Sequence, residues 1–301
     1  MRAPPQAGAL PHGRLHLQHG PIDLIIGLSA DPAARNRALQ AAIDRFATVL
    51  QQLCDELAGL RAQAGPHAPP LRGLVARRMA EAVRPHAAWG FITPMAAVAG
   101  AVADEMLAAM VAAAPLRRAY VNNGGDIALH LAPGERFRIG LVDQPDQPDQ
   151  PGLFGAAAVH AADPVRGVAT SGWRGRSFSL GIADAVTVLA ASAADADAAA
   201  TVVANAVDLP GHPAVYRAPA AELQSDSDLR GLLVTTSVGA LSPAEAGRAL
   251  DGGAAVAGRL LRAGLIAAAA LHCQGVTRVI NGVITGVSGA PFVLPREAAH
   301  A

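Results

Sequence analysis

The sequence predicts a mixed α+β protein, and three observations predict it. Apolar residues recur at steps of three and four in some stretches and alternate in others, so helices and strands are both encoded. Strand-like runs follow one another across short Gly- and Asn-containing turns, which joins them as antiparallel hairpins. The helical stretches flank these hairpins without a strict β-α-β rhythm, which disfavours a purely parallel sheet.

The first 20 residues hold Pro4, Pro5 and Pro11 with scattered Arg and His, and read as an irregular segment without a signal-peptide core. Ile22 to Leu28 reads as a strand. Asp31-Pro32 supplies an N-cap and a first-turn proline. The helix that follows carries Leu39, Ile43, Phe46, Leu50, Leu53, Leu57 and Leu60 as one apolar stripe. Residues 62 to 71 read as a loop because of Gly65, Pro66, Pro69 and Pro70. The apolar stretch from Ala87 to Ala103 is broken by Pro94 and Gly100 and reads as buried core rather than a membrane span. Within it Thr93-Pro94 opens a helix of small residues, which admits another backbone or a ligand at close range.

Arg118 to Leu131 and Phe137 to Val142 read as strands, followed by the proline-punctuated acidic loop Asp143 to Pro151. Val168 to Gly172, Phe178 to Ile182 and Ala185 to Ala190 read as strands, Ala194 to Val207 as a helix, and Leu232 to Val238 as a strand. Ser242-Pro243-Ala244-Glu245 is a capping box that starts another helix. Arg278 to Thr285 carries the Asn281-Gly282 hairpin signal. No boundary cuts the chain cleanly, so a single domain over 21–295 is expected, with a tail at 296–301.

Composition narrows the function classes. The 301 residues are 51% hydrophobic and carry 24 Lys plus Arg against 24 Asp plus Glu, so no net field draws nucleic acid or an acidic membrane. Cys54 and Cys273 stand far apart and outside a C-x-x-C spacing, which points to a reducing cytoplasm rather than a disulfide scaffold. The common phosphate-binding loops, the G-x-S-x-G elbow and H-E-x-x-H are all missing. The remaining chemistry sits at Gly-rich corners with oxygen side chains: Asn123-Gly124-Gly125-Asp126, Thr170-Ser171-Gly172, and Asp197 four residues before Thr201. Glycine turns expose backbone N–H groups to phosphate, and Asp and Thr at i and i+4 bring two hard oxygens within reach of one magnesium ion. A plain turn, a strand end and a solvated helical charge account for the same residues.

Taken in order, these segments resemble the ApbE-like flavin-transferase superfamily. Thr93 to Asp104 resembles the segment that lines the flavin site, with Gly100 and Asp104 on its second Gly and its Asp. Tyr120 to Ile127 is similar to the next strand and its Gly-Gly-Asp. Arg138 to Pro145 resembles the strand after that, and Val168 to Gly172 its Thr-Ser-Gly. Ala196-Asp197-Ala198-Ala199-Ala200-Thr201 matches the Ala-Asp-x-x-x-Thr helix. The resemblance implies mixed sheets with antiparallel hairpins and a flavin site formed by Met95, Ala96, Gly100, Asp104, Asn123, Gly124, Gly125, Asp126, Thr170, Ser171 and Gly172. It also implies magnesium held by Asp197, Thr201 and a backbone carbonyl near Ala96, with FAD as substrate or ligand.

Two departures stand out. Ala99 replaces the lysine before the glycine, and the His-x-x-Asp-Pro-x-Thr-Gly segment is missing between Ser171 and Val188. Asp184 is the candidate for the missing catalytic base, with a strand-end residue as the equally weighted alternative. The resemblance thus implies a soluble, short-branch protein that binds a flavin nucleotide and cleaves FAD or transfers FMN to a Thr or Ser of an acceptor protein. The rival implications are a flavin-binding accessory protein without transfer, or an enzyme of sulfur assimilation or one-carbon pterin metabolism using the same pocket. No nucleic acid or membrane partner is expected, and the resemblance leaves room for a homo-oligomer.

Overall fold

A computed structural model describes residues 4–142, 153–281 and 292–293. The chain begins with β1 (Gln6–Leu10), β2 (Arg14–His19), β3 (Ile22–Ser29), α1 (Pro32–Asp55), α2 (Leu57–Leu60) and α3 (Leu74–Val83). After two 3-10 turns come α4 (Val98–Ala113), β4 (Arg118–Asn123), β5 (Asp126–Leu131), β6 (Arg136–Val142) and β7 (Leu153–His160). Then follow β8 (Gly167–Ser171), β9 (Ala185–Ala190), α5 (Ala193–Ala206), β10 (Val215–Pro219), α6 (Ala220–Leu223) and β11 (Leu233–Val238). The last elements are α7 (Pro243–Arg262), β12 (Ala268–Cys273), β13 (Val276–Asn281) and β14 (Phe292–Val293). Helices and antiparallel strands are therefore mixed, as the hairpin signals predict.

The chain forms two compact units, each assembled from separated segments. The first comprises residues 1–135, 164–169 and 189–199. Its strands lie in the order β1-β2-β3-β4-β5-β8, and each neighbouring pair is antiparallel. Strand β3 alternates buried and half-buried residues over its first half, with Leu24 and Ile26 fully enclosed, so one face is core. Helix α4 packs on β4 and β5 and against α1 and α3. The stretch Pro94–Ala113 is long and apolar enough to cross a membrane by length and composition. Its Ala101, Val102, Ala103, Met106 and Met110 are instead enclosed in this unit's core.

Asp31 caps α1, its carboxylate accepting the Ala34 N–H at 2.9 Å. The buried face of α1 differs from the leucine stripe: it is Ala34, Ala38, Ala42, Phe46, Val49, Leu50 and Leu53, while Leu39 and Ile43 are only half-buried. The inward face is thus alanine in the first half of the helix and larger side chains in the second. Residues 1–20 hold β1 and β2 where an irregular segment was expected. Leu15 and Leu17 alternate with polar residues there, a strand period that the prolines and histidines obscure.

The second unit comprises residues 136–163, 170–188 and 200–301. Strand β9 is buried along its whole length and neighbours β12, which pairs with β13 through a Gln274-Gly275 turn. Both turn residues have positive φ, at 42° and 83°. Helix α7 packs on β12 and β13 and starts at the capping box, with Ser242 and Glu245 bonding reciprocally. A second sheet pairs β6 with β7 and β7 with β14, and β10 and β11 form a separate two-stranded ribbon.

Phe178 to Ile182 is a loop rather than a strand. Its Ser179 hydroxyl and Leu180 N–H both donate to the Asn205 side chain, and Gly181 lies so near Ala204 that a Cβ would sit 2.1 Å from the carbonyl oxygen. Side-chain pinning has replaced a ladder here. The acidic loop at 143–151, the strand expected after Asn281-Gly282 and the tail at 296–301 lie outside the described residues. The interleaving of the two units explains why the sequence offers no clean boundary within 21–295.

Candidate functional site

In the first unit the starts of α4 and α5 meet. Gly100 makes this possible, since a Cβ there would stand 2.2 Å from the Ala193 carbonyl oxygen. The close approach expected of the small-residue helix is thus to another backbone. The Gly100 N–H donates to Asp197 Oδ2 at 3.0 Å. Asp104, one turn further along α4, accepts the Ala193 N–H at 3.1 Å on Oδ1 and the Ala194 N–H at 2.9 Å on Oδ2. Both Asp104 oxygens are used in this way. Asn123 is buried and donates its side-chain N–H to the Ala99 carbonyl at 3.1 Å.

Gly124 and Gly125 form the two-residue turn between β4 and β5, with φ of 66° and 113°, and Asn122 Oδ1 accepts the Gly125 N–H at 2.8 Å. Positive φ at both positions selects glycine. A Cβ at Gly125 would meet nothing within 4 Å. Met95, Ala96 and Asp126 are half-buried, so Met95, Ala96, Gly125 and Asp126 keep surface available to a ligand. The 3-10 turn Pro94–Ala97 precedes α4, and Thr93 makes no side-chain cap to it.

Burial raises the Asp197 carboxyl well above the carboxylate range, and the neighbouring Asp126 carboxyl adds to the effect. The Gly100 and Ala99 N–H groups pull it back. Burial likewise lifts Asp104 to about 6, against the Ala194 and Ala193 N–H groups and Arg78. Among the described residues, no group of three or more His, Cys, Asp or Glu side chains is gathered as a metal site. The site the resemblance implies needs instead one carboxylate, one hydroxyl and one carbonyl. Asp197 suits its part, because the charged side chains acting on it are the carboxyls Asp126 and Asp104, a surplus of negative charge that a divalent cation balances. Thr201 is half-buried four residues along α5, on the same helix face.

In the second unit, the Thr170 and Thr187 hydroxyls share a 2.9 Å hydrogen bond. Ser171 is half-buried, and Gly172 is buried where a Cβ would lie 2.4 Å from the Asp184 carbonyl oxygen. Asp184 itself is 6% exposed. Its Oδ1 accepts from Arg174 Nε at 2.9 Å and Trp173 Nε1 at 3.2 Å, and its Oδ2 accepts the Gln274 N–H at 2.6 Å. This is the geometry of a structural strut, with the Arg174 guanidinium also lying 4.7 Å over the Trp173 ring.

Two arrangements escaped the sequence reading. Ser192 accepts the Asp195 N–H at 3.1 Å and donates to Asp195 Oδ2 at 2.7 Å, an N-terminal cap on α5 whose signal is an acid three residues after a serine. His272 is buried, stacked on Phe154 at 4.7 Å and bonded to Thr277 at 2.8 Å. Strand pairing sets His272 opposite Thr277, while Phe154 comes from β7 in the other sheet of this unit. Buried Cys273 has its thiol pushed up to about 12 by burial, which makes it unreactive at neutral pH.

Comparison with curated proteins gives partial matches. The chain is 39% identical over 117 residues to a UPF0280 protein of Methanothrix thermoacetophila, covering 38% of this chain and 46% of that protein. It is 37% identical over 132 residues to a UPF0280 protein of Methanopyrus kandleri, covering 44% and 48%. The match thus spans about half the length of these relatives. Among solved structures, the flavinyl transferase ApbE of Pseudomonas stutzeri, in its apo form, aligns over 92% of this chain and 95% of its own at 14% identity and a TM-score of 0.43. The sequence model described as AbpE bacteria matches residues 7–279, nearly the whole chain, and the protein belongs to that family.

Proposed function

We propose that this protein binds a flavin dinucleotide together with magnesium, through Asp197 and Thr201 on α5, and acts at the pyrophosphate. The observation that carries the reading is Asp197, a half-buried carboxyl beside a second carboxyl and held by a backbone N–H. Membership of the AbpE family and the flavin transferase named among its structural neighbours support the choice of flavin. Bound magnesium would neutralise pyrophosphate charge. The open turn at Gly125 and the half-buried Met95, Ala96 and Asp126 would border the nucleotide. In transfer, an acceptor hydroxyl oxygen would bond to the FMN phosphorus while the bond to AMP breaks, and the hydroxyl proton would pass to a base.

Asp184 does not suit that last role, because its oxygens already accept three hydrogen bonds. That observation favours a second reading, in which the protein holds the flavin without transferring it. Titration calorimetry of the protein with FAD, with and without magnesium and repeated on Asp197→Ala, tests the first claim. Magnesium-dependent binding should weaken at least tenfold in the variant, and chromatography should detect AMP and FMN. Binding without products supports the second reading, and no FAD binding overturns both.

A further inference from the structure

Three residues that the motif pattern assigns to the ligand are used inside the protein. Gly100 supplies a gap for the Ala193 carbonyl, Asp104 accepts the Ala193 and Ala194 N–H groups, and Asn123 holds the Ala99 carbonyl. The first N–H groups of a helix have no partner within it, and an acidic side chain from elsewhere can accept them and complement the positive end of the dipole. Helices α4 and α5 do this for each other. Gly100 is the third residue of α4 and donates to Asp197 of α5, while Ala193 and Ala194 open α5 and donate to Asp104 of α4. The Asp195 N–H, next along α5, is taken by Ser192.

We propose that Asp104 is a positioning residue: its carboxylate and the Gly100 gap form a reciprocal cap between α4 and α5 that fixes where Asp197 stands. The proposal rests on the reading of Asp197 as the magnesium ligand. It assigns the ligand-facing part of the α4 segment to Met95 and Ala96, and gives Gly100 and Asp104 to the support behind it. A contact to nucleotide by Asp104 would have to break the Ala193 and Ala194 bonds, whereas a positioning role leaves them intact in the bound state.

Amide hydrogen exchange on the metal-free protein tests the cap directly, using Asp104→Ala and the milder Asp104→Asn, which retains one acceptor oxygen. Exchange at Ala193, Ala194 and Gly100 should rise at least tenfold in Asp104→Ala and by less in Asp104→Asn, with Leu24 and Ile26 in β3 unchanged. The Gly100 amide is the decisive reporter, since its partner is Asp197 and not Asp104. Continued protection there would show that Asp197 is placed without Asp104 and would overturn the proposal. In parallel, magnesium-dependent FAD affinity should fall at least tenfold in Asp104→Ala and partly recover in Asp104→Asn. Unchanged affinity in a variant whose Gly100 amide has opened would also overturn it. If the parent protein binds no FAD, the functional reading fails while the exchange data still decide the cap.

Discussion

Asp197 in the first unit is marked for chemistry by its motif, Asp184 in the second only as a substitute for a missing base, and their surroundings are opposite. Asp184 is met by a guanidinium, an indole N–H and a backbone N–H, so its negative charge is fully matched. Asp197 is met by backbone N–H groups and by two further carboxyls, Asp126 and Asp104. A matched buried charge stabilises its fold and has little left to give a ligand. An unmatched one strains the fold and is relieved by a cation. The donors around each aspartate tell the two surroundings apart.

The sharpest way to break this contrast is Asp184→Ala. It leaves the Arg174 guanidinium and the Gln274 N–H without their acceptor, and urea unfolding should register a loss of about 3 kcal/mol. A loss below about 1 kcal/mol would mean that Asp184 is not a strut. Asp104 lies between the two cases, with two N–H donors, Arg78 nearby, and the Asp195 carboxyl opposing. Its folded pKa of about 6 exceeds its ordinary 3.8, so its contribution to stability is complete below 3.8 and fades as pH rises through 6. Between pH 4 and 7 that share amounts to about 2–3 kcal/mol at most, and Asp104→Asn should flatten this part of the stability curve. An unchanged curve would remove Asp104 from the pH response. The smallest effect belongs to Asp197→Asn without magnesium. Loss of a repelled charge should leave stability at pH 7 unchanged or raise it by about 1 kcal/mol. A clear destabilisation would place Asp197 with Asp184 as a structural residue.

Local signals were legible and distant ones were not. Asp31, Ser242 and the Gly124-Gly125 turn act within four residues of themselves, and each does what its sequence context says. The strand periods of β4, β5, β6, β9 and β11 were legible because apolar runs end at turns. Helix α3 and strands β7 and β10 were not, since Ala and Gly dominate β7 and the others lie in stretches that resemble loops. The role of Asp104 was hidden for a plainer reason: its partners stand 89 and 90 residues along the chain. Motif order picked out Gly100, Asp104, Asn123, Asp126 and Asp197, which the fold gathers near the α4 and α5 starts. It could not tell which of them face outward.

The way the two units share the chain has a consequence for how the protein can be divided. The backbone leaves one unit for the other after Glu135, Asp163, Ala169, Val188 and Ala199. No truncation from either end can therefore yield one unit whole, and an insertion or gene fission placed between them would have to be made at several points together. Each unit is tied to the other by the path of the backbone itself.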